Sequence, residues 1–123
     1  MKDEIHFKFK QDYHDINLRK KESERLLKQV PDKIPVIFEK DPTNNNLKDL
    51  DKSRFLILKD LSVAQVNHMI RKKMTLKEGE SITLLAQGKY SITGDSIMSG
   101  IYEKFHDEDG FLYIIYTTTL AWG

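Results

Sequence analysis

The sequence contains no cysteine, which excludes disulfide bonds, thiol nucleophiles and thiolate-bound metal sites. The absence of cysteine is also typical of proteins in a reducing compartment. Long apolar runs are missing as well: none approaches the roughly 20 residues that cross a bilayer, and the N-terminal MKDE lacks the apolar stretch of a signal peptide. We therefore expect a cytoplasmic protein.

The chain also lacks an excess of charge of either sign. Its 20 basic and 19 acidic residues are interspersed and give a net charge of +1, which provides little long-range attraction for nucleic acid. A nucleic-acid-binding α+β domain is therefore a distant alternative. Such a domain would use Lys8, Lys10, Arg19, Lys20, Lys21 and the basic residues at 71–73.

Patterns that indicate catalysis or metal binding are missing too. The 4 histidines are scattered without the spacing of a metal site, and the acidic run at residues 107–109 lacks the spacing of a calcium-binding loop. Neither a nucleophile elbow nor a phosphate-binding glycine loop is present. We expect no enzymatic activity, no metal site and no cofactor.

What is present suits one globular domain of 123 residues, of which 39% are hydrophobic and 32% charged. Residues 12–30 are highly charged, carry apolar residues at helical spacing and stop at Pro31, which predicts a helix. Upstream, apolar and polar residues alternate over 5–9, which indicates either a short strand or a first short helix. We predict a helical N-terminal extension over residues 1–30.

Residues 31–117 form the predicted body of the domain. Strands are predicted at residues 34–40, 55–58, 81–86 and 111–117, from short apolar or alternating runs. A helix is predicted after the capping box of Ser62 and Gln65, and a second one after Asp95 or Ser96.

The last predicted strand is apolar on both faces, which is typical of a strand at the centre of a sheet. Parallel pairing of the first and last strands would leave the second strand at an edge, although Pro35 disfavours a central position for the start of the first strand. The order strand, strand, helix, strand, helix, strand gives an α+β fold that is compatible with a ubiquitin-like β-grasp. Residues 118–123 would then form a flexible C-terminal tail.

Several short segments resemble one protein family, in the same order along the chain. They are PDKIPVI at 31–37, LDK at 50–52, RFLI at 54–57, IRKK at 70–73, DEDGFLY at 107–113 and an aromatic residue directly before Gly123. Together they make the chain similar to the ubiquitin-like modifiers of autophagy, which include microtubule-associated light chain 3 and the GABA type A receptor-associated protein. The resemblance implies a β-grasp with a four-stranded mixed sheet and two additional N-terminal helices.

The resemblance also implies a function for the C-terminus. In this family a glycine is activated with ATP and transferred to phosphatidylethanolamine, and the matching residue is Gly123. Because glycine has no side chain, an extended tail that ends in it can thread a narrow enzyme channel. Most relatives carry residues after this glycine that a protease removes, so a chain that ends here either skips that step or has been trimmed. The protein would be a monomer before conjugation and would lie on the autophagosomal membrane afterwards.

Contacts with the processing and conjugating enzymes are implied for Arg71, Lys72, Lys73 and Trp122. Lys73 replaces the usual arginine, and lysine lacks the planar fork that binds a carboxylate through two hydrogen bonds. A structural role is also open to this basic turn, because cations stabilise the negative end of a helix dipole.

A strand edge at residues 52–58 is implied to bind cargo receptors and adaptors, whose aromatic-x-x-aliphatic motif would add as another strand. The first pocket, for the aromatic residue, would be lined by Glu22, Leu26, Pro35, Ile37, Arg54, Leu56 and Phe111. The second pocket, for the aliphatic residue, would be lined by Phe55, Ile57, Leu58, Leu61, Val66 and Met69. Lys52 and Arg54 would attract acidic residues that precede the aromatic one, unless they are only solvated charges that protect the edge.

Two residues of the second pocket depart from the family pattern. Leu58 stands where relatives have proline, and Val66 stands where many have a larger residue. Leu58 also restores a backbone N–H, which either adds a hydrogen bond to a peptide or invites unwanted strand pairing. A rival function is that of an adaptor that uses the same edge and is never conjugated.

Overall fold

The computed structural model describes residues 6–120, and the side chains of residues 6–119. Over this range the chain forms four helices and five strands. In chain order they are α1 (Lys8–Asp12), α2 (Ile16–Gln29), β1 (Lys33–Lys40), β2 (Arg54–Leu58), α3 (Val63–Lys72), β3 (Glu80–Ala86), β4 (Tyr90–Ile92), α4 (Met98–Phe105) and β5 (Leu112–Leu120).

The strands form one mixed sheet in the order β2-β1-β5-β3-β4, in which β1 and β5 are parallel and the other pairs are antiparallel. The prediction that the first and last long strands pair at the centre and leave the second at an edge is confirmed. The prediction of a four-stranded sheet is wrong, because β4 adds a fifth strand. Its 3 residues are too few to show a period, and they pair with β3 across a turn in which Gln87 and Gly88 have positive φ.

Pro35 lies near the start of β1 and faces Leu56 of β2, whereas the pairing of β1 with β5 begins one residue later, at Val36. The Asp41 N–H donates to the Tyr116 carbonyl of β5 (2.9 Å), so odd-numbered residues of β1 face β5. Continuing this register backwards, an N–H at position 35 would face the carbonyl of Gly110. That carbonyl instead accepts a hydrogen bond from the Tyr102 hydroxyl (2.6 Å). The expectation that Pro35 disfavours a central position is therefore confirmed for the start of β1, although the strand from Val36 onwards lies between β2 and β5.

The sheet carries a hydrophobic core on each face. On one face, β1 and β5 pack with α3 and α4 around Val36, Ile114 and Tyr116. On the other face, Tyr113 and Ile115 pack with residues of the N-terminal segment. All five side chains are almost fully buried, which explains why β5 is apolar on both faces.

The N-terminal segment forms a helix, not a strand, from Lys8 onwards. The carboxylate of Glu39 on β1 accepts hydrogen bonds from the N–H groups of Lys8 (2.8 Å) and Phe9 (2.9 Å), and so caps α1 across the sheet. Phe7 and Phe9 are buried in the second core. The alternating pattern of this segment therefore reflects two buried rings at the start of a helix.

Helix α2 is attached to the body by a buried ion pair. The Arg19 Nε donates to the Asp109 carboxylate (2.8 Å), which also accepts from the Tyr113 hydroxyl (2.6 Å). The Ser23 hydroxyl donates to the Asp109 carbonyl (2.6 Å). Burial, together with the hydrogen bond to Asp109, raises the pKa of Tyr113, so its hydroxyl remains protonated and donates. Helix α2 is thus fixed at one position beside the sheet.

The two later helices begin side by side. The capping box of Ser62 and Gln65 is confirmed at α3, but the N-cap residue of α4 is Ile97, whose side chain makes no capping bond. The prediction of Asp95 or Ser96 as the cap is wrong. Helix α4 needs no side-chain cap because the N–H of Met98 donates to the Leu61 carbonyl (2.8 Å) in the segment before α3.

The final strand is longer than predicted. Strand β5 extends to Leu120, and Thr117, Thr118 and Thr119 continue its pairing with β3. The predicted boundary between body and tail at residue 117 is therefore placed too early. The predicted conjugation residue Gly123 and its neighbour Trp122 lie outside the described residues.

We expect Gly110→Ala to loosen the attachment of α2. Gly110 has φ +88, and a Cβ placed on it would lie 2.9 Å from the Cβ of Ser23 and even closer to its hydroxyl. Gly94 also has positive φ, at +70, but has open space around it, so Gly94→Ala is a matched control. Urea unfolding should show a free energy of unfolding about 1–3 kcal/mol lower for Gly110→Ala than for the control. Equal values for the two variants would contradict this account.

Candidate functional site

Strand β2 has one free edge, because within residues 6–120 it pairs with β1 alone. The Ser53 carbonyl accepts from the Phe38 N–H (2.8 Å), and the Lys59 N–H donates to the Asp32 carbonyl (3.0 Å). Odd-numbered residues of this segment therefore bond to β1. Since backbone groups alternate in direction along an antiparallel strand, the N–H and C=O groups of the even-numbered residues point away from the sheet. The even-numbered residues are Arg54, Leu56 and Leu58.

The other edge of the sheet is a weaker template for an added strand. Strand β4 has only 3 residues, whereas β2 has 5. Short edge strands are one way in which proteins limit strand addition. Exposed apolar side chains also lie along β2, where Leu56 is 38% exposed and Leu58 is 44% exposed. The edge of β2 is therefore the better candidate for binding an extended peptide.

The pairing register assigns the side chains of β2 to the two faces of the sheet. Phe55 and Ile57 pair with Val36 and Ile34, whose side chains lie in the core under α3. Paired residues of antiparallel strands share a face. The even-numbered residues of β2 therefore lie on the face that carries α2. They are Arg54, Leu56 and Leu58. Leu58 was expected in the second pocket, but its position on this face puts it beside the first.

The residues predicted for the first pocket come together between α2 and β2, at different depths. Pro35, Ile37 and Phe111 are buried and form the floor. Leu26 of α2 is half-buried and packs against the same cluster. Leu56 is exposed at the rim. The floor side chains are covered in this conformation, so a ligand ring that reaches them has to displace the groups at the rim.

Glu22 and Arg54 span the first pocket. The Glu22 carboxylate lies 3.3 Å from the Arg54 guanidinium and binds Arg25 of its own helix through two hydrogen bonds, at 2.6 and 2.9 Å. The hydrogen bonds from Arg25, aided by the charge of Arg54, lower the pKa of Glu22. Arg25 was not predicted as part of the site, although its spacing of three residues from Glu22 on a helix is a usable signal.

The residues predicted for the second pocket, apart from Leu58, lie on the opposite face, between β2 and α3. Ile57 and Val66 are almost completely buried core residues and offer no accessible surface. Phe55 and Leu61 are half-buried at the margin of the core, and Met69 of α3 is 37% exposed. The accessible part of this group is therefore a shallow surface formed by Phe55, Leu61 and Met69.

Basic residues surround the start of the edge. The Lys52 ammonium lies 4.9 Å from the centre of the Phe55 ring, a cation–π contact that adds to the exposed charge of Arg54. Lys73 borders the same region, because it lines a small cleft of about 80 Å³ together with Lys52 and Phe55. Lys73, which was predicted only as an enzyme contact, thus stands close to the peptide edge.

A larger cleft of about 730 Å³ continues from Lys52 and Arg54 towards α1. Its charged lining residues are Lys8, Asp12, Glu39, Lys40, Asp49, Asp51, Lys52 and Arg54. These charges balance, so the cleft as a whole does not favour an anionic ligand. Any preference for acidic residues must come from the few cations at the edge itself.

The basic turn at the end of α3 is exposed, as an enzyme contact requires. Arg71, Lys72 and Lys73 all lie at the surface, and the Arg71 guanidinium reaches the Glu80 carbonyl at 3.5 Å. Arg71 and Lys72 occupy the last turn of the helix, where cations stabilise its dipole. Both the structural role and the enzyme-contact role remain compatible with this arrangement.

Neither a membrane-spanning helix nor a metal cluster is found within residues 6–120. None of the helices in this range is long and apolar enough to cross a bilayer. No three His, Cys, Asp or Glu side chains there are grouped so that they could hold a metal ion.

Amide hydrogen exchange tests the direction of the backbone groups on β2. The N–H groups of Phe55 and Ile57 donate into the sheet, whereas those of Leu56 and Leu58 face solvent. We expect the first two amides to exchange more than about tenfold more slowly than the second two, measured residue by residue by NMR. Equal protection of all four amides would mean that another segment covers the edge.

Comparison with known proteins agrees with the fold. A family model described as "Autophagy protein Atg8 ubiquitin like" matches residues 18–123. Autophagy-related protein 8e of Arabidopsis thaliana is 38% identical over 115 residues, which cover 94% of this chain and 92% of the relative. Autophagy-related protein 8 of Mycosarcoma maydis is 37% identical over 110 residues, covering 89% and 92%.

A solved structure is similar over nearly the whole chain. The crystal structure of Trypanosoma brucei ATG8 aligns with a TM-score of 0.83 and 29% sequence identity, covering 97% of this chain and 100% of that one. The family model and the two relatives each match most of this sequence. The chain therefore belongs to the Atg8 family and is a ubiquitin-like modifier of autophagy.

Proposed function

We propose that this protein is conjugated through Gly123 to phosphatidylethanolamine and recruits cargo receptors and adaptors through the edge of β2. The observation that carries the second half is the free edge itself: five strand residues, bonded on one side only, with apolar surface on both faces. Conjugation would take place on autophagosomal membranes, and the unconjugated form would be cytoplasmic. Family membership supports both halves.

An extended peptide gains two kinds of interaction at such an edge. Its backbone bonds to the outward groups of Arg54 and Leu56, which gives affinity with little dependence on sequence. Its side chains alternate between the two faces of the sheet. One side chain can therefore reach the first pocket while another, on the opposite face, reaches the second-pocket surface. An aromatic-x-x-aliphatic motif meets this requirement, because residues three apart in a strand point to opposite faces.

The anchors differ because the two surfaces differ. The first pocket has an apolar floor of Ile37 and Phe111 below the rim residue Leu56, so a flat ring that displaces the rim would pack on apolar surface. The second surface is shallow and includes the flexible side chain of Met69, which suits an aliphatic group of variable shape. We therefore assign the aromatic anchor to the α2 side and the aliphatic anchor to the α3 side.

Charge at the edge favours acidic residues next to the aromatic anchor. Lys52 and Arg54 are exposed, and Arg54 already holds one carboxylate, that of Glu22, at 3.3 Å. A ligand carboxylate would share or replace this contact. Exposed ion pairs are worth only about 0–1 kcal/mol each, so charge adjusts affinity and the apolar anchors supply most of it.

In this proposal the conjugated lipid supplies the attachment to the membrane. Two acyl chains, at roughly 0.8 kcal/mol for each buried methylene, hold a protein stably on a membrane. Arg71, Lys72, Lys73 and Trp122 are the residues that we propose contact the enzymes that carry out this conjugation.

The peptide half of the proposal is tested by the double variant Arg54→Glu with Leu56→Ala. It removes the rim of the first pocket and places a second carboxylate beside Glu22. We expect titration calorimetry with an acidic Trp-x-x-Leu peptide to show about tenfold weaker binding, or about 1.4 kcal/mol.

The matched control for this test is Lys89→Glu with Tyr90→Ala. Both residues are exposed at β4, on the opposite edge of the sheet, and the control likewise reverses one charge and truncates one apolar side chain. We expect the affinity of the control to equal that of the wild type. Unchanged affinity in the Arg54→Glu, Leu56→Ala variant would refute the pocket assignment.

Deletion of Gly123 tests the conjugation half and separates it from the rival function of an unconjugated adaptor. The full chain is incubated with ATP, the activating and conjugating enzymes and vesicles that contain phosphatidylethanolamine. Mass spectrometry should detect the lipid adduct for the wild type and for Leu56→Ala, but not for the truncated chain. An unmodified wild-type chain that still binds peptide would favour the adaptor function.

A further inference from the structure

The backbone N–H of Leu58 is a third donor on the edge of β2, beyond those of Arg54 and Leu56. The Lys59 N–H donates to the Asp32 carbonyl, so Leu58 occupies a position in the ladder whose backbone groups point outward. Leu58 and its partner Lys33 face each other without exchanging hydrogen bonds, and the Lys33 N–H instead donates to the Val30 carbonyl (3.0 Å). Within residues 6–120 the Leu58 N–H therefore has no backbone acceptor and faces outward.

The carbonyl of Leu58 is already used within the chain. It accepts a hydrogen bond from the Leu61 N–H at 3.2 Å, in the turn that leads to α3. Leu58 therefore offers a donor to an added strand, while its acceptor is engaged. The edge consequently ends with a donor, which a backbone carbonyl of an added strand can complete.

We propose that the Leu58 N–H donates to a backbone carbonyl of the bound peptide, two residues along from the carbonyl that accepts from Leu56. This spacing holds for both parallel and antiparallel addition, because donors two residues apart on one strand meet acceptors two residues apart on the other. The inference rests on the proposed peptide-binding function and specifies one more contact of the same site. This contact favours ligands whose backbone stays extended between the carbonyl that accepts from Leu56 and the carbonyl that accepts from Leu58.

The turn that follows Leu58 fixes the orientation of this donor. The Lys59 and Leu61 N–H groups are both bonded, and the Ser99 N–H donates to the Lys59 carbonyl (2.9 Å). The end of β2 is thereby tied to the start of α4 as well as to β1. A donor held in this way loses little conformational entropy when a ligand binds, which favours a net gain from the hydrogen bond.

The test compares Leu58→Pro with Leu58→Val. Proline removes the N–H, whereas valine keeps it and is close to proline in size. Because the N–H points away from the sheet, proline at this edge position removes no bond of the ladder. The probe is an eleven-residue synthetic peptide with three glutamates, Trp-x-x-Leu and serine extensions at both ends. Titration calorimetry should show binding about threefold to tenfold weaker for Leu58→Pro than for Leu58→Val.

An ester scan of the same peptide identifies the accepting carbonyl without altering the protein. Each backbone amide is replaced in turn by an ester, whose carbonyl is a weaker acceptor. For the wild type, we expect a loss of affinity at the ester position two residues from the one that faces Leu56. The same ester should cause no loss for Leu58→Pro. A wild type that tolerates this ester would overturn the proposal even if Leu58→Pro were to unfold.

The remaining outcomes separate this inference from the function on which it rests. If Leu58→Pro and Leu58→Val bind with equal affinity and have identical ester profiles, the proposal that the Leu58 N–H donates to the peptide is overturned. The proposal that the edge of β2 binds peptides is then unaffected. Absence of binding by the wild type would overturn both. Dimerisation of the wild type in sedimentation experiments, lost in Leu58→Pro, would assign this N–H to pairing with a second copy and overturn the inference as well.

Discussion

The position of β5 between β1 and β3 is the constraint on which the site depends. Strand β5 takes up the bonding groups on one side of β1, and β2 takes up those on the other side. Strand β2 then has no further neighbour among the described residues, so its even-numbered backbone groups face solvent. The burial of β5 on both faces holds this order, because moving β5 to an edge would expose Tyr113, Ile115 and their neighbours.

The N-terminal helices pack beside this edge, and α2 forms one side of the first pocket. Glu39 caps α1, and the buried pair of Arg19 and Asp109 fixes α2 beside the sheet. Removing one partner from a buried pair of this kind typically costs about 3–5 kcal/mol, so the pair specifies where α2 lies. Helix α2 in turn carries Glu22 to Arg54. Groups far from the ligand edge thus decide the width of the first pocket.

Most of the fold was predictable because its elements have clear local signals. The capping box of Ser62 marks the start of α3, and the apolar run of β5 marks a strand that is buried on both faces. The missed strand β4 is too short to show a period, and the start of α4 is fixed by backbone bonds to another segment that no local signal reveals. The site residues came from the family resemblance. Sequence alone could not assign Leu58 to a face, because that depends on the pairing register of β2. It also could not show how completely Val66 is buried, because that depends on how α3 packs against the sheet.

The central claim is that a partner peptide becomes the sixth strand, beside β2. Intermolecular NMR contacts between a ¹⁵N-labelled chain and a Trp-x-x-Leu peptide that carries ¹³C at its backbone carbonyls test it most directly. The account predicts hydrogen-bond scalar coupling from the Leu56 amide nitrogen to a peptide carbonyl, with peptide α-protons close to β2. A bound peptide whose contacts lie along β4 or on the outer surface of a helix would contradict it.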